Sequence, residues 1–246
     1  MTLPLVFIHG WGQHKEIWQP LLAGLPATQD ILNLELPGHG DAPWQAFDLD
    51  ILVDAYAAQA PAQCVVVGWS LGGLVALRWA QRHPQQVRKL ALLGSTPCFG
   101  QRSDWPCGSP DEVQQAFALH VAEAPERALQ RFADLAAEGE HDPRSVRRAL
   151  RAHLAERPIP HTEALLAGLR FLAETDMRAS LQKRPVTQPT LLLHGEGDTI
   201  TAFAASAWLA DNLPQARLHA LPQCGHAPMV SHADEARTAL LAFLDE

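Results

Sequence analysis

The stretch of residues 65–77, VVVGWSLGGLVAL, constrains the fold more than any other part of the chain. A short β-branched run stops at Gly-Trp-Ser-Leu-Gly, and a helix-forming run follows at once. A serine on so sharp a strand-to-helix turn holds its hydroxyl clear of the backbone, and the helix N-terminus beside it favours negative charge. Gly68 and Gly72 flank the serine because a Cβ at either position would collide with a neighbouring strand or helix. The pattern therefore predicts that Ser70 is a nucleophile.

Strands and helices alternate on both sides of this stretch. A continuous apolar run at residues 3–8 predicts a strand buried on both faces, as in a parallel sheet, and further strands are predicted at residues 30–36, 63–69, 87–93, 190–194 and 216–221. Helical patterns alternate with them at residues 15–25, 48–60, 71–82, 202–212 and 233–244. This alternation predicts an α/β fold with a mostly parallel, doubly wound sheet, whose ligands bind beyond the carboxyl ends of the strands.

The alternation is interrupted between residues 97 and 184. Four helical stretches fill this segment, separated by Pro, Gly and His-Asp breakers, at residues 111–123, 125–138, 143–157 and 162–175. Helices inserted between two strands of such a sheet are expected to cover the strand ends. We therefore predict a core of residues 1–96 and 185–246 and a helical cap, or lid, of residues 97–184.

A serine hydroxyl is a weak nucleophile at neutral pH, so Ser70 needs a base, and the base needs an orienting acid. Where the nucleophile sits on such a turn, the chain order is serine, acid, histidine. The Gly-rich turn after the strand at 190–194 carries Asp198, and the turn before the last helix carries His226 in Gly-His-Ala-Pro. The order and the strand-end positions predict a catalytic triad of Ser70, Asp198 and His226.

Other residues compete for two of these roles. Glu196 could orient a histidine from the same turn, but Asp198 is preferred because it follows the second glycine, at the tip of the turn. His232 is the nearest rival of His226, and we expect it near the start of the terminal helix, facing solvent. His194 ends a strand, and we expect it to be packed in the interior.

Two backbone N–H groups should form an oxyanion hole. One is expected from Leu71, which follows the nucleophile, and the other from Trp11 in the His-Gly-Trp-Gly loop after the first strand. The glycines of that loop allow its backbone to approach a reacting carbonyl closely. The alternative is that the loop merely ends the strand.

Composition limits the partners and the compartment. A formal charge of −8 argues against nucleic-acid binding, and no apolar run approaches the ~20 residues of a membrane helix. The N-terminus lacks a signal-peptide pattern, and the four cysteines are irregularly spaced without a Cys-x-x-Cys pair. We expect a cytoplasmic monomer that needs no metal and no organic cofactor.

Arginines recur at helical spacing on two predicted helices of the cap, Arg127 and Arg131 on the first and Arg144, Arg147, Arg148 and Arg151 on the second. On an otherwise acidic chain, such a stripe suits an acidic partner that carries a phosphate group. The alternative is a solvated face whose arginines pair with nearby carboxylates, those of Glu138, Glu140 and Asp142.

Several motifs together resemble the α/β-hydrolase superfamily and, within it, the pimeloyl-[acyl-carrier protein] methyl ester esterases, the BioH family. These motifs are His-Gly-Trp-Gly at 9–12, Gly-Trp-Ser-Leu-Gly-Gly at 68–73, Ser-Thr-Pro-Cys-Phe at 95–99, Asp-Trp-Pro at 104–106, His-Ala-Pro at 226–228 and Ser-His at 231–232. The tryptophan before the serine, combined with Pro-Cys-Phe and Asp-Trp-Pro, is more specific than the serine motif alone.

The resemblance implies a serine carboxylesterase that hydrolyses the methyl ester of pimeloyl-[acyl-carrier protein] to pimeloyl-[acyl-carrier protein] and methanol in biotin biosynthesis. It implies substrate contacts from Trp11, Ser70, Leu71 and His226. An acyl channel should be lined by a cap stretch whose aspartate departs from an apolar lining, namely Phe132, Ala133, Asp134, Leu135 and Ala136. Four cap arginines should grip the carrier protein, namely Arg127, Arg131, Arg144 and Arg148.

Three other functions remain open on the same scaffold. They are a general short-chain carboxylesterase, a C–C bond hydrolase with the same triad, and a catalytically idle ligand-binding protein. Dehalogenases and epoxide hydrolases are disfavoured because their chemistry requires a carboxylate where Ser70 stands.

Overall fold

The computed structural model describes residues 3–46 and 48–246, so Met1, Thr2 and Phe47 of the predicted core range lie outside the described residues. Within the described residues, six parallel strands form one sheet in the order β2-β1-β3-β4-β5-β6. The strands are β1 (Leu5–Ile8), β2 (Ile31–Leu34), β3 (Cys64–Trp69), β4 (Val87–Leu93), β5 (Thr190–Gly195) and β6 (Ala216–Leu221). The strand order confirms the predicted α/β fold with a doubly wound parallel sheet.

Eleven α-helices accompany the sheet in the part of the chain that the structure describes. They are α1 (Gln19–Leu22), α2 (Leu49–Gln59), α3 (Leu71–Arg82), α4 (Asp111–Glu123), α5 (Pro125–Ala136), α6 (Pro143–Ala155), α7 (Thr162–Glu174), α8 (Arg178–Lys183), α9 (Phe203–Asn212), α10 (Pro228–Ser231) and α11 (Ala233–Leu244). No helix within these described residues is both long enough and apolar enough to cross a membrane.

The chain reverses its direction across the sheet after β2, which makes the gap between β1 and β3 the topological switch point. Crossover connections are right-handed, so α1 and α2 lie on opposite faces of the sheet. Strands β1, β3 and β5 are therefore covered on both faces, and all of their residues are buried. Ligands of such sheets bind at the switch point, where β1 and β3 end.

The first predicted helix, at residues 15–25, is present in part. A 3-10 turn over Lys15–Trp18 precedes α1, which is only a single turn long. Pro20 lacks an N–H group and is tolerated only in the first turn of a helix, so the helix is interrupted where Pro20 lies. The other predicted core helices coincide with α2, α3, α9 and α11 within one residue at each end.

Five helices, α4 to α8, lie between β4 and β5 in the predicted cap segment. The four predicted helical stretches correspond to α4, α5, α6 and α7, which pack on one another. The fifth helix, α8, was missed because its six residues are too few to reveal a period. Pairing within this described segment is limited to isolated bridges such as Cys98 with Asp176, in agreement with the absence of a predicted strand.

Candidate active site

The turn between β3 and α3 holds Ser70 in a backbone conformation that side chains seldom adopt. Its φ is 54° and its ψ is −117°, and only 7% of the residue is exposed. A Cβ on Gly68 would lie 2.5 Å from the carbonyl oxygen of Gly72, and one on Gly72 would lie 2.3 Å from that of Ile8. The steric reason given for both glycines is therefore confirmed. The strained turn places Ser70 at the end of β3, beside the switch point.

Asp198 and His226 lie in contact at the ends of β5 and β6. Oδ2 of Asp198 is 2.7 Å from Nδ1 of His226, and the hydroxyl of Thr201 lies 2.8 Å from the same oxygen. Oδ1 accepts hydrogen bonds from the backbone N–H groups of Ile200 at 2.8 Å and Thr201 at 2.9 Å. Both carboxylate oxygens are thus fixed, which in turn fixes the plane of the imidazole.

The charge state of Asp198 is set by two opposing influences. Burial favours the neutral acid and would raise the pKa of Asp198, but His226 and His194 hold that pKa well below the usual range of a carboxyl group. Asp198 is therefore ionised at neutral pH. An ionised acid on Nδ1 stabilises a proton there and leaves Nε2 of His226 as the basic nitrogen.

The loop that carries His226 is held from several sides. The indole N–H of Trp69 donates to the carbonyl of His226 at 2.7 Å, and the N–H of His226 donates to the carbonyl of Ala136 at 3.1 Å. The N–H of Gly225 donates to the carboxylate of Glu140 at 2.8 Å. Nε2 of His226 is buried and has no hydrogen-bond partner among residues 3–46 and 48–246. A base with a free Nε2 is what the hydroxyl of a nucleophilic serine requires.

The loop after β1 lies against both the turn between β3 and α3 and the inserted helices. Its Trp11 donates an indole hydrogen bond to the carbonyl of Leu165 at 2.8 Å and contacts the rings of Phe117 and Phe132. The backbone N–H groups of Trp11 and Leu71, expected to form the oxyanion hole, have no hydrogen-bond acceptor among the described residues. Two uncommitted donors beside a buried serine are suited to bind an oxyanion.

His39 forms hydrogen bonds that hold this loop in place. The N–H of Gly12 donates to Nε2 of His39 at 3.2 Å, and Nδ1 of His39 lies 3.0 Å from the carbonyl oxygen of Pro37. These contacts require a neutral ring with its proton on Nδ1. Burial, together with the nearby His9, lowers the pKa of His39 to about 3, so the ring stays neutral near pH 7.

A cavity of about 530 Å³ opens onto Ser70. Its lining is mostly apolar and combines Trp11, Ser70 and Asp198 with residues of the inserted helices, among them Phe132, Leu135 and Leu169. A largely apolar cavity of this size suits an acyl chain.

Only part of the predicted channel stretch lines this cavity. Phe132 and Leu135 contribute to the lining, whereas Ala133 and Ala136 are buried in the packing of α5. Asp134 faces α6 and forms ion pairs there. The placement of Asp134 in the acyl channel is therefore corrected, because on a helix the residues at positions 132 and 135 share a face that excludes 134. The apolar character of the channel is preserved.

The structure distinguishes Asp198 and His226 from the residues that competed for their roles. Glu196 is exposed and forms no hydrogen bond or ion pair with His226, whereas Asp198 contacts the imidazole at Nδ1. His194 is packed in the interior, as predicted, but its Nε2 also lies 3.3 Å from Oδ2 of Asp198. The prediction that His232 faces solvent is wrong, because its side chain is only 20% exposed and lies beside Glu140.

Sequence reasoning missed the residues that hold the acid and the base in place. Thr201 and His194 contact Asp198, and Glu140 binds the backbone next to His226. His194 and Thr201 flank Asp198 within a few residues, so the Gly-rich turn itself offered a signal for them. Glu140 comes from the inserted segment, and no local pattern reveals it.

The arginines of α5 and α6 divide into two groups. Four are exposed and have no ion-pair partner within the described parts of the chain, namely Arg127, Arg131, Arg144 and Arg148. Arg147 and Arg151 instead pair with Asp134, at 3.2 Å and 2.8 Å. Of the alternative partners, Glu140 is bound to Gly225 and Asp142 caps α6. The single face expected for α6 is therefore divided: Arg147 and Arg151 share one carboxylate, whereas Arg144 and Arg148 have none among the described residues.

The fold, with a serine on the turn between β3 and α3, defines an α/β hydrolase, and a model described as the alpha/beta hydrolase family matches residues 5–239. A bromoperoxidase structure from Bacillus anthracis superposes with a TM-score of 0.89 at 23% identity, covering 100% of this chain and 93% of that one, and shows likeness of fold alone.

Curated relatives narrow the family. A pimeloyl-[acyl-carrier protein] methyl ester esterase from Aromatoleum aromaticum is 43% identical over 236 residues, 94% of this chain and 94% of that protein. One of the same name from Nitrosomonas europaea is 39% identical over 232 residues, 94% of this chain and 91% of that protein. The chain belongs to the family of these esterases, and the resemblance drawn from its motifs is confirmed.

Proposed function

We propose that this protein hydrolyses the methyl ester of pimeloyl-[acyl-carrier protein], releasing methanol and leaving the acyl chain on its carrier, in biotin biosynthesis. The observation that carries the proposal is the buried contact between Asp198 and His226, together with Ser70 in the lining of a largely apolar cavity that Asp198 also lines. The names of the relatives support the choice of substrate. The methylene chain of a pimeloyl group would fill the apolar cavity, with its terminal ester at Ser70.

Acylation begins when Oγ of Ser70 attacks the ester carbonyl and Nε2 of His226 accepts the hydroxyl proton. The N–H groups of Trp11 and Leu71 bind the oxyanion of the tetrahedral intermediate. The intermediate collapses, its bond to the methoxy oxygen breaks, and His226 returns the proton so that methanol leaves. Asp198 holds the imidazole in its tautomer and stabilises the imidazolium throughout.

Deacylation repeats these steps with water as the nucleophile. His226 accepts a proton from a water molecule that attacks the acyl-serine carbonyl, and the same two N–H groups bind the new oxyanion. Collapse breaks the bond to Oγ, the proton of His226 returns to Ser70, and the free carboxylate of the pimeloyl chain is released. No cofactor takes part in this sequence.

We propose further that residues 97–184 act as a cap that carries the docking surface for the carrier protein. Its helices supply Phe132 and Leu135 to the cavity. Four unpaired arginines on the neighbouring helices α5 and α6 would attract an acidic carrier with its phosphopantetheine arm, namely Arg127, Arg131, Arg144 and Arg148. A monomeric state and a cytoplasmic location stay predictions.

The test compares hydrolysis of pimeloyl-[acyl-carrier protein] methyl ester and a short p-nitrophenyl ester by the wild type and by Ser70→Ala. We expect the wild type to prefer the carrier-linked ester strongly and the variant to lose turnover of both, since the nucleophile is missing. Activity only on the small ester would demote the protein to a general short-chain carboxylesterase. Undiminished activity of a folded Ser70→Ala would remove Ser70 from the mechanism.

A further inference from the structure

Three side chains with metal-binding atoms meet behind the loop that carries His226. Glu140 comes from the turn between α5 and α6, Cys224 from the loop after β6, and His232 from the residue before α11. One ligand atom of each lies within 4.8 Å of the others. The cluster therefore joins the turn between α5 and α6 to a region, residues 224–232, that lies more than 80 residues further along the chain.

The geometry is close to that of a tetrahedral site. Oε2 of Glu140 lies 3.8 Å from Nδ1 of His232. In a tetrahedral zinc site with Zn–N and Zn–O near 2.0 Å and Zn–S near 2.3 Å, the ligand atoms lie about 3.3–3.8 Å apart. Shifts of a few tenths of an ångström up to about one ångström would bring all three donors to that separation.

The surroundings also suit a cation. The carboxylate side chain of Glu140 is only 1% exposed, and Cys224 is fully buried, whereas the His232 side chain keeps 20% of its surface. Glu140 uses Oε1 to accept from Gly225 and leaves Oε2 toward the cluster. The hydroxyl of Ser231 lies 2.9 Å from Nδ1 of His232 and 3.6 Å from Sγ of Cys224. The partly exposed imidazole leaves one side of the cluster open to solvent, from which a cation and a water as fourth ligand would enter.

We propose that Glu140, Cys224 and His232 form a binding site for a thiophilic divalent cation such as Zn²⁺. A thiolate, an imidazole and a carboxylate are the donor set that zinc prefers, whereas magnesium and calcium favour oxygen alone. The site lies outside the cavity that contains Ser70, so the cation takes no part in ester chemistry. By tying the turn between α5 and α6 to the loop of His226, it stabilises that loop.

The experiment titrates metal-free protein with Zn²⁺ by calorimetry and with Co²⁺ by absorption spectroscopy. We expect one equivalent to bind, with the charge-transfer absorption of a thiolate bound to Co²⁺. Cys224→Ser and His232→Gln should each weaken binding at least about 10-fold, since each removes a ligand. Cys107→Ser, which changes a half-buried cysteine outside the cluster, should bind as the wild type does.

Thermal unfolding gives a second readout that needs no substrate. Saturating Zn²⁺ should raise the Tm of the wild type and of Cys107→Ser, because a ligand that binds the native state stabilises it. At a Zn²⁺ concentration that just saturates the wild type, the rise in Tm should be clearly smaller for His232→Gln, and this partly exposed position keeps the test valid if Cys224→Ser folds poorly. The absence of Zn²⁺ binding in the wild type, or binding by both Cys224→Ser and His232→Gln that is as tight as that of the wild type, would overturn the proposal.

Discussion

Asp198 lies in a turn where each carboxylate oxygen already has its partners. Oδ1 is held by two backbone N–H groups, and Oδ2 faces Nδ1 of His226 and, at 3.3 Å, Nε2 of His194. These contacts leave one orientation for the carboxylate and keep its charge next to the imidazole. A neutral residue of the same shape would keep the turn but offer the wrong hydrogen-bonding group to Nδ1.

Asp198→Asn should therefore lower kcat by about 10³- to 10⁴-fold and leave KM within a few-fold, because the amide favours the wrong imidazole tautomer. Steady-state kinetics on a p-nitrophenyl ester measures both constants. Glu196→Gln is the matched control, since it changes an exposed acid of the same turn. A larger loss in Glu196→Gln than in Asp198→Asn would show that the acid has been assigned to the wrong residue.

At the residue scale, the sequence predicted groups whose roles depend on chain order and missed those whose roles depend on packing. Ser70, Asp198 and His226 follow strand ends, so their order alone indicated that they would share one edge of the sheet. Glu140 reaches Gly225 only because the turn between α5 and α6 lies on the loop before α10. Contacts between distant loops leave no periodic trace in a sequence.

At the scale of elements, β1, β3 and α3 approach so closely at the turn that carries Ser70 that no space is left there for a further side-chain atom. The carbonyl oxygens of Ile8 and His9 lie 2.3 Å and 2.5 Å from the position of a Cβ on Gly72. Both are strand-end backbone atoms and cannot move independently. For a Cβ on Gly24, by contrast, the three nearest atoms all belong to the side chain of Arg237.

Gly72→Ala should lower the free energy of unfolding by about 2–4 kcal/mol, since the added methyl group forces strand and helix apart. Gly24→Ala makes the same chemical change at the surface and should cost less than about 1 kcal/mol. Urea unfolding of the two variants beside the wild type measures both values. Equal losses would contradict the close approach of β1 and α3.

The loop after β1 depends on a neutral His39. The folded pKa of His39 is about 3, below the ordinary value near 6.5 that the unfolded chain would show. The unfolded chain therefore takes up the proton first as the pH falls. The stability that His39 contributes is fully present above about pH 6.5 and is lost progressively as the pH approaches 3.

His39→Gln, which does not titrate, should be less stable than the wild type near pH 7.5, and the difference should shrink or reverse near pH 4.5. Urea unfolding at both pH values checks this, with His161→Gln, a change of an exposed histidine, as the control for losing one histidine. A constant difference at both pH values would indicate that His39 does not stay neutral in the folded protein.

The elements themselves were predictable wherever a period extends over several turns or a whole buried strand. All six strands lie within two residues of their predicted bounds. Strands β1, β3 and β5 are covered on both faces and are therefore continuous apolar runs, whereas the edge strands β2 and β6 are only partly buried. The short helix α1 was predicted too long, and the short helix α8 was missed. A helix of one or two turns shows too little of its amphipathic face to establish a period, and tertiary contacts decide its ends.

At the scale of the whole molecule, charge is distributed unevenly. The chain carries a formal charge of −8, yet α5 and α6 present four exposed arginines without ion pairs among the described residues. Asp134 forms ion pairs with both Arg147 and Arg151 beside them and joins α6 to α5. A positive surface on a negative protein can select the approach of an acidic partner through long-range attraction.

Reversal of charge at two of these positions, Arg144→Glu with Arg148→Glu, should raise KM for the carrier-linked ester by about 10-fold or more and leave kcat/KM for a p-nitrophenyl ester unchanged. The reason is that only the carrier-linked substrate meets the helix surface, whereas both esters reach the same Ser70. The difference between variant and wild type should narrow at high salt, where attraction between exposed charges is screened. Steady-state kinetics with both substrates at low and high ionic strength measures these effects.

Arg88→Glu provides the matched control because Arg88 is an exposed residue near the start of β4, at the end of the sheet opposite Ser70. Arg88→Glu makes the same kind of charge reversal at a place that a carrier protein would not contact while its acyl chain occupies the cavity. The double variant reverses two charges and Arg88→Glu only one. If the rise in KM for the carrier-linked ester per reversed charge were the same in both variants, net charge alone would govern association. An equal loss on both substrates in the double variant would mean that α6 supports the catalytic loops instead of receiving the carrier.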